Sequence, residues 1–74
     1  MLKIKIEIEE PNETALSSLK EAIKNNFNLD SQIAGLLLVM EVDTNFCNAG
    51  ILLDWIWKDN DVVDVKCITT IRER

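Results

Sequence analysis

The chain has 74 residues, of which 47% are apolar, 13 are acidic and 8 are basic, so its net charge is −5. This length leaves room for one hydrophobic core, and we expect residues 1–74 to form a single compact domain. The apolar content excludes a disordered segment. The negative charge argues against direct nucleic-acid binding, because phosphates would be repelled, and favours a protein partner with a basic surface.

The cysteine count and the apolar runs bear on the cellular localisation of the protein. Two cysteines, Cys47 and Cys67, do not make a disulfide framework. The first residues alternate in polarity and lack the apolar core of a signal sequence. The longest apolar run, from Ile33 to Met40, is too short to span a bilayer. We therefore expect a cytoplasmic protein that does not contact a membrane.

The first 28 residues predict a strand followed by a helix. Charged residues alternate with four apolar ones, Leu2, Ile4, Ile6 and Ile8. This period of two is typical of an amphipathic strand, which Pro11 ends, and Asn12 suits the N-cap of a helix. Apolar residues then recur at three- and four-residue steps, at Leu16, Leu19, Ile23 and Phe27. These steps predict a helix from about Glu13 to Asn26, followed by asparagines that tolerate a left-handed turn.

Two later apolar segments predict strands. The segment from Gly35 to Asp43 is almost continuously apolar and too short for a typical helix. We therefore expect a strand that is buried on both faces and lies near the centre of the sheet. Towards the C-terminus, Val63 to Arg72 alternates in polarity. This pattern predicts a half-exposed strand whose inward face includes Cys67.

The stretch from Asn45 to Lys58 fits two structures. As a helix capped by Thr44 or Asn45, it turns one face inward: Phe46, Ala49, Gly50, Leu53, Ile56 and Trp57. As a strand, it places four residues on one face, Ile51, Leu53, Trp55 and Trp57, and Asp59-Asn60-Asp61 forms a hairpin turn. The start signal favours the helix, whereas the β-branched and aromatic content suits the strand. In either structure some large apolar side chains fall on the outer side, so we infer an apolar binding surface around Trp55 and Trp57.

Together these elements predict an α+β fold. We expect a small single domain with a three- to four-stranded mixed sheet and one or two helices packed on one face, in the order β-α-β-(α or β)-β. The expected core is drawn from the inward faces: Leu2 or Ile4, Ile6, Ile8, Leu16, Leu19, Ile23, Phe27, Leu36, Leu38, Val63, Val65 and Cys67.

The sequence offers little for catalysis or metal binding. Histidine and tyrosine are absent, which removes the commonest general base and the commonest metal ligand. Cys47 has no histidine partner, so we interpret its thiol as a packing group and not as a nucleophile. The sequence from Asp59 does not match an EF-hand calcium loop. Such a loop needs glycine at its sixth position and glutamate at its twelfth, and these positions hold Asp64 and Thr70. We therefore expect a protein that is not an enzyme and that uses no metal or cofactor.

These observations predict a small acidic, non-catalytic protein-binding module. By analogy of size and charge, a concrete version is a virus- or plasmid-encoded inhibitor, of the anti-CRISPR or anti-restriction type, that blocks a basic nucleic-acid-handling protein. The candidate partner-binding residues are Trp55, Trp57, Asp59, Asp61 and Asp64, with Glu7, Glu9 and Glu10 as an alternative patch. The alternative function is a structural homo-oligomer, such as a homodimer, that assembles through sheet edges and the Trp55/Trp57 surface.

Overall fold

The computed structural model describes residues 1–43 and 49–72. Their order along the chain is β1 (Leu2–Ile8), α1 (Glu13–Phe27), β2 (Gln32–Ala34), β3 (Leu37–Val42), α2 (Ala49–Asp54) and β4 (Val65–Arg72). Helix α2 continues directly into a π-helical turn, Trp55–Asp59. The expected helix start at Thr44-Asn45 and the thiol of Cys47 lie outside the described residues.

The strands form one sheet in the order β2-β3-β1-β4. Strand β1 pairs antiparallel with β3 and with β4, and β2 pairs antiparallel with β3. This combination of element order and strand order is the split βαβ, or ferredoxin-like, arrangement. The predicted α+β class is confirmed. The sheet is wholly antiparallel, whereas a mixed sheet was expected. Strands that run in the same direction, β1 with β2 and β3 with β4, are not neighbours, because another strand lies between them.

The core lies on one face of the sheet, beneath both helices. Its buried residues are Ile4, Ile6, Ile8, Leu16, Leu19, Ile23, Leu38, Met40, Val42, Leu52 and Ile56. The alternation predicted for β1 is confirmed, because its isoleucines are buried while Lys3, Lys5 and Glu7 lie on the other face. That other face, which we call the open face, is not covered by either helix.

Asparagines fix both ends of α1. Asn12 has an extended backbone, and its Oδ1 accepts a hydrogen bond of 2.8 Å from the backbone N–H of Ala15. Asn28 adopts a left-handed conformation (φ 56°), and its N–H donates to the carbonyl of Lys24 over 2.8 Å. Both roles were predicted from the sequence, and an N-cap of this kind stabilises a helix by about 1 kcal/mol.

A tight hairpin occupies the start of the segment Gly35 to Asp43 in which a strand was expected, and β2 before it was not predicted. Gly35 takes a positive φ of 64° in the turn between β2 and β3. Leu36, next to it, is 62% exposed, so its expected place in the core is wrong. The turn breaks the strand before Leu37, and only β3 enters the middle of the sheet. One face of β3 is buried. On its other face Leu37 and Val39 are half-exposed and Glu41 is exposed.

A bulge in the last strand corrects the expected position of Cys67. Glu7 pairs with Cys67 whereas Ile8 pairs with Val65, so Lys66 is an extra residue between them. The bulge reverses the alternation: Val65 and Ile68 face the helices, while Cys67 is exposed on the open face. The sequence does not show the bulge, so the alternation was continued across it. Every residue after the bulge is then assigned to the wrong face of the sheet.

Candidate functional site

The two tryptophans have different environments, although they are separated by one residue. Trp55 is half-buried and meets Phe27 edge to face, with ring centroids 5.5 Å apart and planes at 75°. Trp57 is 48% exposed, and Ile51 on the same helix is 61% exposed. An edge-to-face pair of this kind adds about 0.5–1.5 kcal/mol beyond its buried area. Trp55 therefore supports the fold, and Trp57 and Ile51 are the large apolar side chains that α2 and its π turn leave open to a partner.

The inner face predicted for this helix is partly wrong. The helical interpretation is confirmed from Ala49 onward, but the fully buried residues are Leu52 and Ile56 rather than Trp57. The mismatch begins within α2 itself, where Leu52 is buried although the prediction placed it outside, and Gly50 is exposed although the prediction placed it inside. The buried face is centred on Leu52 and Ile56, four residues apart, and Trp57 lies beside this face and is 48% exposed, so its expected inward position is wrong.

Asn60 shapes the loop that follows the π turn. Its backbone N–H donates to the carbonyl of Trp55 over 2.8 Å, and its Nδ2 donates to the carbonyl of Ile56. Its Oδ1 accepts a hydrogen bond of 3.1 Å from the N–H of Val63. One side chain thus closes the helix end and orders the next three residues. Sequence reasoning treated Asn60 only as a turn residue, and did not identify its positioning role.

Four carboxylate residues from two distant segments meet beside this loop. The N–H of Glu9 donates to the carbonyl of Asp64 over 2.9 Å, which aligns the end of β1 with the start of β4. Glu9, Glu10 and Asp64 then line one shallow cavity of about 270 Å³, and Asp64 shares a second with Asp61. We call Glu9, Glu10, Asp61 and Asp64 the acidic end. Glu9 and Glu10 from one predicted patch and Asp61 and Asp64 from the other thus belong to one surface.

The acidic end also contains apolar surface. Val62 is 40% exposed and lines both cavities with Val63. Ile8 and Ala15 form the floor of the larger cavity together with these valines. Apolar contact surrounded by charge is the usual composition of a protein interface, with a dry centre and a polar rim. Nothing in the sequence marked Val62, because its exposure depends on the loop that Asn60 orders.

The remaining acidic candidates lie elsewhere. Glu7 points to the open face, where its Oε1 lies 3.7 Å from Nζ of Lys66. Both side chains are about half-exposed, so this ion pair contributes little to stability. Asp59 is the exposed last residue of the π turn and lines neither cavity of the acidic end. The structure thus brings together four of the six acidic candidates.

The open face of the sheet has no chemistry for base stacking. On its two inner strands it presents Lys3, Lys5, Glu7, Leu37, Val39 and Glu41, and on β4 it presents Cys67, Thr69 and Ile71. Proteins that bind single-stranded RNA on a four-stranded sheet stack bases on aromatic side chains of that sheet. Within the strands described here the open face carries no aromatic residue. Among residues 1–43 and 49–72, no group of three potential ligands could hold a metal ion.

Comparisons with known proteins do not assign the chain to a family. No family model matches the chain, and no curated protein or solved structure matches it either. Over the described part of the chain, every helix is too short or too polar to cross a bilayer.

Proposed function

We propose that this protein is a small, non-catalytic module that binds a basic surface of another protein through its acidic end. The observation that carries the proposal is the convergence of Glu9, Glu10, Asp61 and Asp64 around exposed Val62. Like charges held close together repel one another, so the cluster costs stability unless an opposite charge meets it. A partner rich in lysine or arginine removes that repulsion when it binds.

The concrete form of the proposal is an inhibitor, encoded by a virus or plasmid and acting in the cytoplasm. It would occupy the basic groove of a nucleic-acid-handling protein, as anti-CRISPR and anti-restriction proteins do. Carboxylates spaced along a rigid rim satisfy the same lysines and arginines that phosphates would satisfy. The hydrogen bonds of Asn60 hold Asp61 and Asp64 on such a rim before binding, which lowers the entropy that binding must overcome.

The test compares two triple variants of equal charge. Glu10→Gln/Asp61→Asn/Asp64→Asn neutralises three of the four carboxylates of the acidic end. Glu21→Gln/Glu41→Gln/Asp54→Asn neutralises exposed carboxylates on α1, β3 and α2. Tagged wild type and both variants are used to capture proteins from a host lysate, and each captured protein is then purified and titrated against all three chains.

We expect the acidic-end variant to bind about 10- to 100-fold more weakly, because several charge contacts are lost together. The matched variant should bind like wild type. Duplex DNA should compete with the wild-type chain for the partner, and rising salt should weaken the complex steeply. Equal weakening by both variants, or binding that DNA and salt leave unchanged, would contradict the proposal.

A further inference from the structure

The two edges of the sheet differ in length and in protection. At one edge, β2 pairs with β3 over three residues only, from Gln32 to Ala34. At the other, β4 runs for eight residues from Val65 to Arg72, and among the described strands it pairs with β1 alone. Natural sheets usually shorten, twist or charge an edge strand, because unpaired N–H and C=O groups recruit another strand. A long free edge therefore indicates either such a device or a binding role.

The protective devices on β4 are confined to its ends. The bulge at Lys66 interrupts the regular strand near its start, and Arg72 carries a charge at its other end. Between them, the five residues from Cys67 to Ile71 are uncharged and contain no proline or glycine. Ile68, Thr69, Thr70 and Ile71 all favour strands. The middle of β4 is thus a regular, open edge.

A second copy of the chain fits this edge poorly. A continuous antiparallel sheet across a two-fold axis places one residue opposite itself. With the axis at Thr69, Lys66 of each copy lies opposite Arg72 of the other, so two cations come near each other at both ends, and their side chains lie toward different faces of the sheet. With the axis at Ile68, Val65 must pair with Ile71, yet these residues lie on opposite faces because of the bulge. Registers displaced further pair fewer residues of β4.

We propose that the free edge of β4 binds an extended segment of a partner protein, which adds a fifth strand with carboxylates opposite Lys66 and Arg72. Backbone hydrogen bonds supply the contact along Cys67 to Ile71, as in other strand-addition interactions. Arg72, together with Lys66, whose half-exposed contact with Glu7 leaves it open to a second carboxylate, selects an acidic segment and sets its register. This inference concerns a surface separate from the acidic end and does not rest on the function proposed above.

The experiment supplies a strand of the required chemistry to the whole chain. The seven-residue segment Glu-Thr-Val-Thr-Val-Thr-Glu is fused after the last residue through a flexible Gly/Ser linker of about 12 residues, which gives an effective concentration on the order of millimolar. A second fusion carries Lys in place of both Glu residues. Amide hydrogen exchange is followed by NMR in both fusions and in the unfused chain.

We expect outward-pointing amides between Cys67 and Ile71 to exchange about tenfold more slowly in the Glu fusion than in the unfused chain. The Lys fusion should show no such protection. In the Glu fusion, Lys66→Gln/Arg72→Gln should remove most of the protection, while the matched pair Lys20→Gln/Lys58→Gln on the helices should retain it. Both pairs remove two exposed cations, so they alter the net charge equally.

Three outcomes would overturn the inference. One is unchanged exchange along β4 in the Glu fusion. Another is equal protection by both fusions, which would show that Lys66 and Arg72 select nothing. The last is a concentration-dependent dimer of the unfused chain in light scattering with the same β4 amides protected, which would assign the edge to a second copy.

Discussion

At the scale of single residues, neighbours in the sequence have opposite tasks. Trp55 packs on Phe27 while Trp57 is 48% exposed. Asn60 uses its backbone and side chain to order a loop, whereas Asp61 beside it is exposed to solvent. These assignments separate residues that hold the fold from residues that are free to meet a partner, and they are testable by substitution.

The tryptophans should differ in fluorescence. Trp57→Phe leaves Trp55 as the reporter, and we expect blue-shifted emission that acrylamide quenches weakly, because this ring is half-buried. Trp55→Phe leaves Trp57, which should emit further to the red and be quenched strongly. Steady-state spectra with acrylamide titration measure both. Indistinguishable spectra from the two variants would show that the difference in burial is wrong.

The thiol of Cys67 should react with alkylating reagents in the folded protein. Its side chain is exposed on the open face, and reagent access rather than unfolding should limit the rate. Iodoacetamide labelling under native conditions, followed by peptide mass spectrometry, reports Cys67 separately from Cys47. We expect Cys67 to label as fast as a cysteine in a short unstructured peptide. Labelling slowed by orders of magnitude would restore the buried position expected from the sequence.

At the scale of secondary-structure elements, α2 and its π turn show how a short helix divides its residues. Six α-helical residues are too few to be stable alone, so the element depends on burying Leu52 and Ile56 against the sheet. The π turn then leads into the loop that Asn60 orders. Packing of this one element therefore supports the geometry of the acidic end.

Truncation of adjacent residues in α2 should have unequal effects. Leu52→Ala removes a fully buried side chain, and we expect the free energy of unfolding to fall by about 2–5 kcal/mol. Ile51→Ala removes a side chain that is 61% exposed, and it should change stability by about 0.5 kcal/mol or less. Urea denaturation followed by circular dichroism measures both.

A domain of this size has a stability of only about 4–11 kcal/mol, so the loss expected for Leu52→Ala is a large fraction of the total. Leu52→Met is the milder companion variant, with an expected cost below about 1.5 kcal/mol. Similar losses from Ile51→Ala and Leu52→Ala would contradict the orientation of the helix.

At the scale of the whole molecule, charge is distributed unevenly around a one-sided core. The net charge is −5, yet Lys3, Lys5 and Lys66 lie on the open face or at its rim, and four carboxylates gather at one end. Concentrated like charge lowers stability through repulsion. A surface that costs stability is what a binding site is expected to contain.

Neutralising part of the acidic end should stabilise the fold at low salt. For Asp61→Asn/Asp64→Asn we expect the free energy of unfolding to rise by about 0.5 kcal/mol in dilute buffer. The gain should vanish near 1 M salt, where the Debye length is about 3 Å. Thermal denaturation at several salt concentrations measures this dependence.

Asp30→Asn is the control and removes one charge rather than two; its carboxylate lies 3.2 Å from Nζ of Lys24 and has an attractive partner. This variant should show no gain at any salt concentration. A gain from Asp30→Asn equal to that at the acidic end would point to the net charge alone as the cause.

Much of the fold was predictable because local patterns and tertiary packing agree. The alternation in β1, the apolar stripe of α1 and the asparagines at both of its ends each predict what the structure contains. The misplaced residues fall where a turn or a bulge interrupts a pattern, or where the helix buries another face than the predicted one. Gly35 belongs to a turn that exposes Leu36, the bulge at Lys66 exposes Cys67, and the buried face of α2 and its π turn is centred on Leu52 and Ile56, which leaves Trp57 exposed.

The sequence by itself determined β1, α1, the two later strands β3 and β4, the one-sided core of β1 and α1, and the acidic balance, because these follow from the residue types and their local period. Only the tertiary structure decided which acids form one surface. Glu9 and Asp64 are 55 positions apart, and a strand pairing brings them together through a hydrogen bond of 2.9 Å. It also decided which edge of the sheet is long and open, because strand order depends on the packing of the whole chain and not on any local pattern.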